Sequence, residues 1–241
     1  MNMQTFFSEI TALCRNEQFL HSVMEKYHYD PEEYPNLKRL AGEMIPRLAK
    51  EAGWQDREIK ETFPGRDQSF LAVGITLGKG IDALQEKYLQ NGFLTESYMI
   101  EVLSSELLLK SYRAYTEWVA VHRNLHVARL HFLGGEISET SESQIGSLLR
   151  LPMLLQELAL PVTCNAAYCM IPKKSVVFYA ELTKDPFTKC AGICLGCGRR
   201  DCPNRMEEKE NFPLRFADMT DRPLSYGYAR IFSKSTDENG R

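Results

Sequence analysis

The chemistry in this chain is concentrated in "CAGICLGCGRRDCPNR", residues 190–205, where Cys190, Cys194, Cys197 and Cys202 place four thiols within a short run. The chain has 7 cysteines, an odd number, and four of them sit together, a pattern that fits reduced thiols and a metal better than paired disulfides. Thiolates are soft ligands that suit zinc or iron–sulfur clusters. Structural zinc sites usually split into two Cys-x2–4-Cys knuckles separated by a longer loop, and no such separation exists here. Closely spaced cysteines ending in Cys-Pro are nearer to the ferredoxin style of run. An iron–sulfur cluster, 4Fe–4S in type, is therefore favoured, with zinc as the alternative. Gly192, Gly196 and Gly198 would let the backbone turn tightly and direct N–H groups towards sulfur.

Cys190, Cys194 and Cys197 also reproduce the cysteine triad of radical S-adenosylmethionine enzymes. In those enzymes a large βα barrel follows the triad, whereas residues 203–241 offer no room for one, and Cys202 would fill the open iron corner. The radical-enzyme reading is set aside.

The elements that must position this loop read as α+β. Up to about Trp54 the chain is helical, including Pro35 to Ala52, where Leu37, Leu40, Ala41, Met44, Ile45 and Leu48 recur at helical spacing, and Asp30-Pro31 marks a helix start. "SFLAVGITLG" (Ser69 to Gly78) is a buried strand. A helix from Ile81 to about Gln90 stops at Asn91-Gly92, and a longer one from Thr95 is expected to run to about His126. Ser141 should cap a helix from Glu142 to Leu158, with Pro152 kinking or breaking it. "PVTCNAAYCMIP" and "KSVVFYAEL" read as two hairpin strands joined at Pro172-Lys173-Lys174, directly before the cysteine loop. "LSYGYARIF" is a further candidate strand and "SKSTDENGR" a frayed tail. Three regions result: a helical region at 1–68, an α+β domain at 69–189, and the cysteine loop with its tail at 190–241.

Composition excludes several classes. The chain has 241 residues, 44% of them apolar and 25% charged, with a net charge of −3 and no long run of one sign, so nothing in it suggests a nucleic-acid surface. The start has Glu9 inside its apolar part and no cleavage site, and no apolar run reaches membrane-spanning length, so a cytoplasmic location is expected.

"ITLGKGIDALQEKYLQNGFLTESYMIEVLSSELL", "FLGGEISETSESQIGSLLRLPMLLQEL" and "NAAYCMIPKKSVVFYAEL" together resemble the activation, or S-adenosylmethionine-binding, domain of cobalamin-dependent methionine synthase. The resemblance is stronger to its free-standing bacterial homologues, many of which end in a comparable cysteine cluster. It covers about Ser69 to Arg205 and is carried by Thr76 to Gly78, by Pro172-x-x-Ser175-Val176, and by the terminal Cys-x4-Cys-Pro-x-Arg. It implies a bent antiparallel sheet flanked by helices and a role in servicing a corrinoid protein, so that inactive cob(II)alamin can be reduced and remethylated. The candidate cofactor-binding residues it implies are Arg129, Gly134, Gly135, Tyr168, Pro172 and Ser175. One element departs from the family. Its cofactor loop has Arg before Pro-Gly-Tyr, whereas in "ARLHFLGGEI" Arg129 is one or two positions off register, Gly134 and Gly135 stand at the turn, and the following Pro is missing.

Three functions follow as expectations. The leading one is a redox or reactivation partner of a corrinoid protein whose iron–sulfur cluster delivers an electron to cobalt. The second is a non-catalytic corrinoid- or ligand-binding module stapled by zinc or a cluster. The third is S-adenosylmethionine-dependent remethylation of cobalamin. No catalytic residue is assigned, and enzymatic activity is left open between electron and methyl transfer. Other candidates have bland readings. His122 and His126 lie four apart on the expected helix but lack the Glu of a zinc hydrolase, so a polar helix face is the simpler reading. Cys14, Cys164 and Cys169 read as small buried hydrophobes. Gly74, Gly78 and Gly80 read as turn and packing glycines, Lys173-Lys174 as a solvated turn, and Tyr112, Tyr115 and Trp118 as core.

Overall fold

Two strands of this chain are buried on both faces, and the rest of the fold is arranged to cover them. The computed structural model describes residues 3–59, 69–133, 147–188 and 190, with side chains from residue 8. The order is α1 (Met3–Leu13), α2 (Glu17–Lys26), a 3-10 turn (Pro31–Glu33), α3 (Tyr34–Glu51), β1 (Gly53–Ile59), β2 (Phe70–Thr76), α4 (Lys79–Gln90), α5 (Leu94–Arg123) and β3 (His126–Phe132). A second 3-10 turn (Leu148–Arg150), α6 (Leu151–Leu158), β4 (Thr163–Cys164), β5 (Met170–Ile171) and β6 (Ser175–Thr183) complete it. This is the expected α+β class: a four-stranded antiparallel sheet, in the order β1-β2-β6-β3, flanked by helices.

Side chains alternate across a strand, so each central strand feeds two cores. Leu71, Val73 and Ile75 of β2, with Phe178, Ala180 and Leu182 of β6, join the main core under α1 to α5. Phe70 and Ala72, with Val177 and Tyr179, face the other way into a smaller core closed by Leu151, Leu154, Leu155 and Leu158 of α6. This is why "FLAVGIT" is a continuous apolar run rather than an alternating one. Helices α1 to α3 contribute Ile10, Leu20, Leu37, Leu40, Met44 and Leu48 to the main core.

Helix α5 runs through the middle and buries residues around most of its circumference. Two of its buried hydroxyls are satisfied within the helix: Ser104 donates to the Ile100 carbonyl at 2.7 Å and Ser111 to the Leu107 carbonyl at 2.8 Å. At its far end Arg123 donates to both carboxylate oxygens of Asp56, at 2.8 and 2.9 Å, and Tyr115 donates to the same carboxylate at 3.0 Å. These contacts tie the helix to the edge strand β1.

Several expected elements fall differently. Helix α5 ends at Arg123, with Asn124 in the left-handed region (φ 51°), and His126 opens β3 instead of closing the helix. Strands β1 and β3 had no sequence expectation. Helix α6 begins only at Leu151 and carries Pro152 in its first turn, where a missing N–H costs nothing, so no kink results. Ser141 and the candidate strand "LSYGYARIF" lie outside the described residues. The segment 161–171 is not a single strand. It folds on itself as the β4–β5 ladder, while β6 pairs with β2 and β3. Asp30 does cap as expected, accepting from the Glu32 N–H at 2.9 Å, but it starts a 3-10 turn that leads into α3.

Candidate functional site

The two motifs that carry the family resemblance within the described residues lie against each other. Strand β2 ends at Thr76 opposite Ser175, the first residue of β6, and the two buried hydroxyls are 2.7 Å apart. Thr76 Oγ1 also accepts the Gly78 N–H at 3.1 Å, while the Leu77 N–H donates to the Lys174 carbonyl at 2.9 Å. On the other side of the turn the Lys173 N–H donates to Asp82 Oδ2 at 2.8 Å. The Lys174 ammonium pairs with Glu101 and donates to Ser105 at 2.9 Å. The turn between β5 and β6 is thereby fixed to the β2–α4 junction by backbone, hydroxyl and ionic contacts. Lys174 is a structural cation here, half-buried, and not the solvated one the turn suggested.

Gly78 permits this junction. Its φ of +86° suits glycine, and a Cβ there would stand 2.4 Å from Glu51 Cβ and 3.0 Å from the Glu51 carbonyl carbon. Glu51 also accepts the Gly80 N–H at 2.7 Å, closing the start of α4 onto the end of α3. The reading of these residues as turn and packing glycines agrees with this placement.

The other candidate cofactor residues are spread over the sheet. Tyr168 lies in the β4–β5 turn with φ 59°, unusual for a bulky residue, and its N–H donates to the Asn165 carbonyl at 2.9 Å. Asn165 Oδ1 holds the turn by accepting the N–H groups of Ala167 and Cys169, at 2.9 and 3.0 Å. Pro172 is buried, after a cis peptide bond from Ile171. Tyr168 and Pro172 flank β5, and the Lys173–Lys174 turn leads from Pro172 to Ser175, the first residue of β6. Arg129 does not join them. It faces Glu181, six positions along β6 from Ser175, or about 20 Å at roughly 3.4 Å per residue. Gly134 and Gly135 lie outside the described residues.

Of the four clustered cysteines, Cys190 is described; it is exposed and in no disulfide. It lies a short way past Thr183, the last residue of β6. Cys194, Cys197 and Cys202 are outside the described residues. Among the described residues no group of three His, Cys, Asp or Glu side chains could hold a metal.

One polar pair escaped the sequence reading. On the outer face of the sheet His131 of β3 is wholly buried, and its Nε2 lies 2.6 Å from Glu181 Oε2 of β6. Phe70 packs obliquely on the imidazole at a centroid distance of 5.9 Å. The signal lay in the polar residues at odd positions, Arg129 and His131 in β3 and Glu181 in β6, which share one face once both segments are strands.

The remaining candidates resolve individually. His122 stacks on Trp118 at 5.0 Å near the end of α5, while His126 is on β3, so the two do not share a helix face. Cys14 is buried as expected, and burial pushes its thiol up to about 12. Cys169 is exposed and Cys164 half-buried, because the segment is a turn and not a core strand. Tyr112 and Tyr115 are core residues, and Trp118 packs against the core with Trp54 at 4.6 Å.

No family model matches this chain, and no curated protein matches it. Among solved structures it is similar to one titled "Crystal Structure of the MetH Reactivation Domain bound to AdoHcy", at 13% sequence identity, over 71% of this chain and 71% of that one, with a TM-score of 0.40. At that level the likeness fixes neither family nor activity. No helix among the described residues is long and apolar enough to cross a membrane.

Proposed function

We propose that this chain is a redox or reactivation partner of a corrinoid protein, and that Cys190, Cys194, Cys197 and Cys202 hold an iron–sulfur cluster of the 4Fe–4S type. The observation that carries the reading is the cysteine run itself: four thiols in close succession, ending in Cys-Pro and following directly on the central strand β6. The donor set fits such a group. It is all sulfur, which suits iron–sulfur chemistry, and Cys190 is an exposed thiol not engaged in a disulfide. A bound cluster of this kind would supply one-electron reduction. The chain's part is to ligate it through the four thiolates, the first of which, Cys190, follows β6 closely in sequence.

The corrinoid half of the reading rests on the resemblance of residues 69–205 to the activation domain of methionine synthase. The mutual contact of Thr76–Gly78 and Pro172–Val176 supports it, because the two matched motifs form one structural unit.

The test replaces Cys194 and Cys197 by Ser in the whole chain. Iron content, circular dichroism and reactivation of a cob(II)alamin-bound corrinoid protein with a low-potential reductant are then measured. The variant should stay folded, lose its iron and lose reactivation. Undiminished reactivation by the iron-free variant contradicts the electron-transfer role. If that undiminished activity depends on added S-adenosylmethionine, methyl transfer replaces it.

A further inference from the structure

The antiparallel register lines up Arg57, Ala72, Tyr179 and His131 as one row across β1, β2, β6 and β3, all on the outer face of the sheet. Ala72 is the small member of that row. Between Arg57 and Tyr179 it leaves a recess, roofed by Arg150, Met153, Leu154 and Glu157 and edged by Glu58 and Ile59, with a volume of about 480 Å3. Small-molecule pockets span roughly 300 to 1,000 Å3, so the recess suits a compact organic ligand.

Its lining is divided. Ala72, Ile59, Met153 and Leu154 supply apolar walls, and Arg57 and Arg150 bring two guanidinium groups to the same space. Arg150 lies over the Tyr179 ring, 5.7 Å from its centroid, which orients the planar group. Arg57 is exposed and makes no ion pair among the described residues. A guanidinium matches a carboxylate with two parallel hydrogen bonds. Glu157 stands at the same opening and offsets part of the positive charge, which disfavours a dianion.

We propose that this recess binds a small monocarboxylate with an apolar body, its carboxylate held by Arg57 and its body lying over Ala72 between Met153 and Leu154. The recess reaches β6 at Tyr179, four positions along the strand from Ser175, and it does not depend on the corrinoid reading.

The test is a titration of the full chain with hexanoate, followed by amide nitrogen–proton NMR, with hexanol and hexyl phosphate as comparison probes. Hexanoate should give saturable shifts centred on Ala72, Met153 and Tyr179, and should bind more tightly than either comparison probe. Arg57→Gln should weaken hexanoate by about tenfold, the loss expected for a charge-assisted hydrogen bond, with the spectrum otherwise intact. Met153→Glu, a change at a partly exposed rim position, should weaken it by repulsion. The proposal is overturned by hexanol or hexyl phosphate binding as tightly as hexanoate, by an unchanged affinity in Arg57→Gln, or by the absence of saturable shifts with hexanoate.

Discussion

Ser175 was a candidate ligand residue, and the structure gives it a bonding partner inside the protein; a double-mutant cycle with Thr76 measures how far that partnership accounts for it. Both residues are buried, at 7% and 0% exposure, with hydroxyl oxygens 2.7 Å apart. In Ser175→Ala the Thr76 hydroxyl loses this partner in a place water does not reach, which costs about 1–3 kcal/mol. Thr76→Val should cost more, because it leaves unpaired both the Ser175 hydroxyl and the Gly78 N–H, which donates to Thr76 Oγ1 at 3.1 Å. With both hydroxyls gone, the shared contact is counted once, so the double variant should be more stable than the two single losses predict by about 1 kcal/mol. The assay is equilibrium thermal unfolding of the four proteins, read by tryptophan fluorescence, with each kcal/mol moving Tm by about 2–4 °C in a chain of this size. Losses that simply add, or a Ser175→Ala variant as stable as wild type, would refute the argument that Ser175 is a structural strut.

Gly78→Ala should lower stability by about 2–4 kcal/mol, combining the strain of a positive φ with displacement of Glu51, whereas Gly92→Ala, also at positive φ (+80°) but with nothing within 4 Å, should cost less; thermal unfolding compares them. Gly42→Ala, on helix α3 with open space around its Cβ, should stabilise by about 0.5–1 kcal/mol in the same assay. Alkylation at pH 8 followed by mass spectrometry should modify exposed Cys169 quickly and leave Cys14 intact, since a thiol pushed up to about 12 by burial holds its proton far above that pH; labelling of Cys14 at a similar rate falsifies its placement in the core.

What the sequence revealed depended on how many faces an element buries. Strands β2 and β6 sit in the middle of the sheet between two cores, so their continuous apolar runs were legible. Strand β1 is an edge strand whose "GWQDREI" buries only Trp54, and such a segment has no apolar run to find. In β3 a bulge between Val127 and Arg129 shifts the phase, so Val127, Leu130 and Phe132 lack the period of two that marks a strand. That shift let the expected helix continue to His126 and hid the pairing of His131 with Glu181. The helix breaks at Asn91-Gly92 and the periodicity of α3 were legible because glycine and core spacing act locally. The recess above Ala72 was not legible, since it comes from register across three strands, β1, β2 and β6, and from α6 packed against them.

The central claim is tested most directly by composition. The whole chain should be purified without oxygen, and its iron, acid-labile sulfide and zinc counted per chain alongside the visible spectrum. The account predicts a brown protein with about four iron and four sulfide per chain, as a cubane requires, bleaching on reduction. A colourless protein carrying one zinc per chain would contradict it and leave the four cysteines as a structural brace.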